Sequence, residues 1–216
     1  MAAEPFEEPP LDCPRCPRLV AFRDELRGKY PDWNNAPVRS FGGLDAGMLI
    51  VGLAPGMKGA NRTGRPFTGD YAGDLLYATL LKFGFARGTY RADPNDGLEL
   101  VNARIANAVR CLPPENKPTP AEFTQCRPFL QAELAVMPEV KVLLALGKGA
   151  HDQILRALTV RPAGAYPFVH GRLHDLPTGL KLADSYHCSR YNTNTGRLTT
   201  AMFEDVFKTV RTVIKP

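Results

Sequence analysis

The chain has 216 residues, 44% of them apolar and 23% charged, which allows one hydrophobic core and excludes a globally disordered polypeptide. No stretch approaches the roughly 20 apolar residues that cross a bilayer, and the acidic, proline-rich start MAAEPFEEPPLD lacks the features of an export signal, so a cytoplasmic protein without a membrane partner is expected. A formal charge of +5 and an isoelectric point of about 9.0 favour polyanionic partners.

Residues 1–12 read as a flexible lead-in, and residues 13–216 as a single domain. From Cys16 to about Tyr30, Leu19, Val20, Phe22 and Leu26 recur at helical spacing and predict an amphipathic helix. Residues 31–46 form a loop marked by Asn34, Asn35, Pro37 and Gly42-Gly43. Met48–Val51 is a short apolar run that predicts a buried strand ending in the turn Gly52-Leu53-Ala54-Pro55-Gly56. A glycine-rich loop continues to about Gly73. Leu75, Leu76, Leu80, Leu81 and Phe83 then predict a second helix, and residues 87–97 a further loop.

A second strand is expected within Leu98–Val109, broken toward its end by Asn107. Thr119-Pro120-Ala121-Glu122 is a capping box with proline at the first helical position, so a helix should start there and run toward Met137, with a kink at Pro128. Val140–Leu146 predicts a third buried strand, followed by Gly147 and a helix of about ten residues. Leu180–Tyr186 is the fourth strand candidate, and Met202, Phe203, Val206, Phe207, Val210 and Val213 mark one face of a C-terminal helix. The chain shows no internal repeat and no low-complexity block.

Strands alternating with helices predict a three-layer α/β/α sandwich around a mainly parallel, four-stranded sheet. Ligands of such sheets bind beyond the carboxyl ends of the strands. The Gly52–Gly56 turn, the Asn107–Asn116 segment and the segment at His187 all follow strand ends, and so can meet in one crevice.

The five cysteines are Cys13, Cys16, Cys111, Cys126 and Cys188. A chain without an export signal keeps its thiols reduced, so ligation or catalysis is expected rather than disulfides. Cys13 and Cys16 form a CxxC pair, and with Cys111 and Cys126 they supply four thiolates. That number suits a [4Fe–4S] cluster, a tetrahedral zinc site, or simply buried thiols. Spacing alone leaves all three open, and any bound cluster would tie the N-terminal helix to the Cys111–Cys126 segment as a structural staple. Cys188 stands beside His187, but neighbours on an extended chain point to opposite faces, so it reads as a filler thiol.

Four segments, CPRCPRLVAFRDEL, GLAPGMKGANRTGRPFTGDYAGDLLY, NAVRCLPPENKPTP and SYHCSRYNTNTGRLT, lie in order between residues 13 and 200. In sequence and spacing they resemble the family 5 uracil-DNA glycosylases, the UDGb type. The resemblance covers nearly the whole chain and implies an α/β/α sandwich with a [4Fe–4S] cluster held by Cys13, Cys16, Cys111 and Cys126. It also implies a DNA-repair hydrolase acting as a monomer on DNA containing uracil or another deaminated base such as hypoxanthine, nucleoid-associated in a bacterium.

A glycosylase must extrude the base from the duplex, and the resemblance implies that Phe67 stacks on the extruded ring. Cleavage puts positive charge on the sugar and negative charge on the departing base. The resemblance places His187 at uracil O2, where an imidazole stabilises the developing anion. A related family carries an acidic residue at the second position of the GxAPG loop, whereas this chain has Leu53, which cannot orient a water. The resemblance moves that role to Asp70, with Asp74 as the rival carboxylate.

Asn116 resembles a family residue near the base, its amide able to read the uracil edge, and Asn107 is a second candidate for that task. The backbone around Gly52, Ala54, Pro55 and Gly56 can approach the base closely. Arg190, Asn192, Thr193, Asn194 and Arg197 resemble a loop that enters the minor groove and grips flanking phosphates. Lys58 allows Schiff-base chemistry, but simple hydrolysis is expected.

Two other readings compete. Gly147-Lys148-Gly149 lacks the third glycine of a dinucleotide fingerprint, and no phosphate-loop motif occurs. A non-catalytic, metal-stapled nucleic-acid-binding module explains the charge and the cysteines but leaves Asp70 and His187 without a purpose.

Overall fold

The protein is described by a computed structural model over residues 6–216. Helix α1 (Pro17–Lys29) follows the CxxC pair, with proline in its first turn. Strand β1 (Met48–Gly52) is buried throughout. A single helical turn, α2 (Ala60–Thr63), interrupts the glycine-rich loop before α3 (Tyr71–Phe83). Two short strands, β2 (Ala86–Arg87) and β3 (Glu99–Leu100), pair antiparallel as a separate ribbon. Strand β4 (Ala103–Asn107) keeps Asn107 as its last residue.

Helix α4 (Pro120–Ala135) opens on the expected capping box: the Glu122 amide donates to Thr119 Oγ1 (3.3 Å) and the Thr119 amide donates to Glu122 Oε2 (2.7 Å). It continues through the exposed Pro128 without ending there. Strand β5 (Val142–Leu146), α5 (Lys148–Ala157), β6 (Leu173–Asp175), β7 (Lys181–Ser185), the short α6 (Arg190–Asn194) and α7 (Thr200–Arg211) complete the chain.

The main sheet has the order β4-β1-β5-β7-β6, parallel except for β6. The expected four strands are therefore joined by a fifth. Leu173-His174-Asp175 has no apolar run of its own, and this segment is a strand because β7 offers it an edge. Alternation splits the sheet into two cores. Met48, Ile50, Val142 and Leu144 face α3 and α7, while Leu49, Val51, Leu143 and Ala145 face α4 and α5.

Of the lead-in, residues 1–5 lie outside the described residues. Expected to be flexible, the remainder is anchored: Glu8 accepts from the Ser40 amide (2.9 Å) and reaches Arg104 Nη2 at 3.3 Å. The cause is electrostatic. Arg104 and Arg110 both bind the fully buried Glu133, at 2.6 and 2.5 Å, and Glu8 supplies the second negative charge that this pair of cations requires. No helix among the described residues is long and apolar enough to cross a membrane.

Candidate active site

Gly52 and Asn107 are register partners at the ends of β1 and β4. A side-chain carbon at residue 52 would meet Asn107 Oδ1 and lie 2.6 Å from Phe67 Cζ, so glycine lets an amide and a ring close in on the strand ends. Asn107 is only 2% exposed, and its Oδ1 has no hydrogen-bond partner among the described residues. An orphaned buried oxygen is costly unless a ligand completes it.

Phe67 has a left-handed backbone (φ +51°), uncommon for a bulky residue, and its surroundings impose it. Arg65 forms a buried bidentate pair with Asp96 (2.8 and 2.9 Å), and its Nε donates to Thr68 Oγ1 at 2.8 Å. The Tyr77 hydroxyl donates to the Pro66 carbonyl (2.6 Å) and that of Tyr90 to the Phe67 carbonyl (3.3 Å). Hydrogen bonding from Arg65 holds the Asp96 carboxyl far below the ordinary range.

Asp70 ends this loop as the N-cap of α3, accepting from the Gly73 amide at 3.3 Å. Burial raises its carboxyl above the ordinary aspartate value, against the lowering effect of the Gly73 and Ala72 amides. Its second oxygen lies against Gly56 and Gly59, where any side chain would intrude.

His187 follows the end of β7, with Gly147 packed beneath it. Its carbonyl accepts from Asn192 Nδ2 (2.8 Å), and its ring lies 5.9 Å from that of Phe67 at an interplanar angle of 32°. Burial lowers the imidazole to about 4, so it is neutral at neutral pH.

These groups line one cavity of about 570 Å³, in the size range of small-molecule sites. Phe67, Asp70, Asn107, Asn116 and His187 all face it, and Ala54, Pro55 and Gly56 form a wall. Asn116 is exposed at the rim, on a turn where Glu115 and Asn116 are both left-handed (φ +55° and +57°). Lys58 and Arg190 also line it, and the Arg190 guanidinium lies over the Tyr71 ring at 5.4 Å. Tyr71 and Ser189 line the cavity too, and sequence reasoning missed both.

The remaining candidates sit elsewhere. Gly52 lies under the cavity rather than on its wall, and Asp74 is exposed outside it. The segment expected as a loop from Arg190 to Arg197 begins as a helical turn because Ser189 caps it, its hydroxyl accepting from the Asn192 amide. Asn192 thus turns inward to His187, and the Thr193 hydroxyl bonds the Ser189 and Arg190 carbonyls. Asn194 and Arg197 are exposed, Arg197 lying over the Tyr186 ring at 4.6 Å. Cys188 is fully buried, its thiol raised to about 12 by that burial, and is no nucleophile.

Cys13, Cys16, Cys111 and Cys126 surround a second, small hollow between α1, the segment after β4, and α4. All four are free thiols. The Arg110 amide donates to Cys126 Sγ at 3.3 Å. Burial, then the charges of neighbouring thiols, raise Cys16 to about 11 and Cys111 to about 12. Ala54 touches both this cluster and the cavity wall.

A polar group with no sequence signal lies behind β7. Asp184 accepts from His151 (2.7 Å), His174 (3.2 Å) and the Val169 amide (3.1 Å), and so fixes the long connection between α5 and β6.

A family model described as the uracil DNA glycosylase superfamily matches residues 39–211. The chain is 45% identical over 212 residues to the type-5 uracil-DNA glycosylase of Thermus thermophilus, covering 95% of each. It is 43% identical to the type-5 uracil-DNA glycosylase of Mycobacterium leprae over 91% of this chain and 89% of that protein. Identity to the type-5 uracil-DNA glycosylase of Pyrobaculum aerophilum is 38%, over 92% and 87%.

Proposed function

We propose, on the premise that this chain belongs to the uracil-DNA glycosylase superfamily and to its type-5 branch, that it extrudes uracil from DNA into the 570 Å³ cavity and hydrolyses its N-glycosidic bond. The observation behind the site assignment is that Phe67 and Asp70, Asn116, and His187, from three separate segments, line a single cavity.

Phe67 stacks on the extruded ring, and its strained, clamped backbone keeps the ring in place before the base arrives. Neutral His187 donates a hydrogen bond to uracil O2 as negative charge develops there. Asp70 orients the attacking water, and its negative charge offsets the positive charge growing on the sugar. Water oxygen bonds to the sugar carbon, the carbon–nitrogen bond breaks, the base leaves with the bonding pair, and the proton the water gives up ends on the departing base. Asn107 and Asn116 read the base edge, the orphaned Asn107 Oδ1 being completed by the ligand.

Leu53 in place of an acidic residue makes the pocket permissive, so hypoxanthine is also accepted. Arg190, Asn194 and Arg197 grip DNA phosphates around the mouth, while Asn192 and Thr193 shape the turn that carries them. The enzyme works as a monomer in the cytoplasm, on the nucleoid in a bacterium.

Cys13, Cys16, Cys111 and Cys126 suit a [4Fe–4S] cluster. The donors are one buried and three half-buried thiols around one hollow, a cationic centre would favour their thiolate forms, and the Arg110 amide already points at one sulfur. When bound, such a cluster supplies a structural cross-link, holding α1 and α4 to the segment that carries Asn107 and Asn116.

The test is release of free uracil from a labelled duplex. Asp70→Asn should abolish most release while DNA binding persists. Equal losses in both would remove Asp70 from the water site.

A further inference from the structure

A larger recess lies away from the cavity, between α4, α5 and the loop that follows α5, and encloses about 940 Å³. Its accessible apolar surface comes from Pro128, Pro162 and Ala163, with Leu155 and Val160 buried beneath. Arg127, Arg156 and Arg161 line it, and no carboxylate does. Among the described residues none of the three forms an ion pair. Arg127 Nε is shut off from solvent with no hydrogen-bond partner there, its Nη2 reaching only Gln153 at 3.5 Å. Gln131 Nε2 donates to the Ala157 carbonyl (3.1 Å) and joins the two helical walls.

Three uncompensated guanidiniums beside exposed Pro128, Pro162 and Ala163 complement one kind of occupant. It must carry carboxylates for the arginines and apolar side chains for the prolines and the alanine. A free phosphate or a DNA backbone meets the first demand and leaves the prolines uncovered. The position also disfavours DNA. Helix α5 starts next to Gly147, which packs under His187, and its 10 residues carry the chain about 15 Å from the cavity before Arg161 is reached.

We propose that this recess docks an acidic, apolar-anchored segment of a partner protein, at a distance from the cavity that lets partner and DNA bind together. The assignment stands independently of the glycosylase reading.

The test uses the full chain and a fluorescent peptide, Asp-Leu-Asp-Asp-Leu-Phe-Glu, followed by anisotropy. Controls are the same peptide with Asn and Gln for its acids, inorganic phosphate, and an abasic-site duplex. The acidic peptide should bind, and R156E/R161E should weaken it by about tenfold or more. The charge-matched R211E/K215E should bind as the native chain does, and R156E/R161E should release uracil at the native rate. Both substituted arginines are exposed, so the fold should persist, and thermal unfolding checks it. The proposal is overturned by absence of peptide binding, by equal binding of the neutral peptide, or by equal losses in both double variants. Displacement of the peptide by phosphate would make this a simple anion site, and displacement by the duplex would make it a DNA contact.

Discussion

The Asp70 carboxylate rests directly against Gly59: a side-chain carbon built at residue 59 would stand 2.6 Å from Asp70 Cγ and collide with Oδ2. Residue 59 has φ −94° and ψ −116°, outside the regions that side-chain-bearing residues favour, so alanine there strains the backbone as well as pressing on the carboxylate. Both effects displace Asp70, and thermal unfolding separates the backbone cost from the loss of rate. Gly59→Ala is expected to lower kcat by about 100-fold, the scale of a misplaced catalytic group, with KM little changed. Single-turnover kinetics check this. An unchanged kcat would mean that Asp70 is free to settle elsewhere without loss.

The pH profile should be set by Asp70 rather than His187. The carboxylate must be ionised to act, and burial raises its pKa above the ordinary aspartate value. Activity should thus fall as pH drops through that raised value. His187, held near 4, stays neutral over the working range and adds no inflection near 6.5, where an ordinary histidine titrates. Rate against pH for the native enzyme and Asp70→Asn decides it, since the acid limb should vanish with the carboxylate. A limb near pH 6.5 that disappears in His187→Gln would contradict the buried, neutral imidazole.

His151 has an acceptor on each ring nitrogen, Asp184 Oδ1 at 2.7 Å from Nδ1 and the Tyr166 carbonyl at 2.9 Å from Nε2. Both are satisfied only when both nitrogens carry protons. Burial works against the charged ring, but the bond to Asp184 and its charge outweigh that, and the pKa is raised. A raised folded value contributes stability below the unfolded value near 6.5 and loses it as pH rises through the folded value. Melting temperature should accordingly decline as pH rises from about 6.5 through the folded value. His151→Gln should flatten the decline and cost about 3 kcal/mol by weakening a buried pair. Thermal unfolding across pH tests both, and an identical slope in the variant would refute the charged form.

Iron analysis addresses the cysteines. Protein purified without oxygen should be brown and hold about four irons with matching sulfide. Cys111→Ser should lose colour, iron and thermal stability together. Stoichiometric zinc in a colourless native protein would overturn the cluster.

Chain-local signals account for much of the molecule. Apolar runs at Met48–Val51 and Val142–Leu146 become buried strands because such runs need cover on both faces, and the Thr119–Glu122 box starts α4 because its partners are three residues apart. The ends of those strands, and with them the place of the site, follow from the same pattern. Phe67, Asp70 and His187 carry no such local signal: the family resemblance pointed to them, and the fold brings all three to one cavity.

What the tertiary structure alone decided is how distant polar groups meet. Arg65 finds Asp96 across 31 residues, Asp184 finds His151 across 33, and Arg104 and Arg110 share Glu133 with Glu8. The edge strand β6 and the inward turn of Asn192 belong to the same class. A backbone periodicity reports which face of one element is apolar. It carries no information on which charge of another element lies opposite, because that depends on how the chain has already crossed itself.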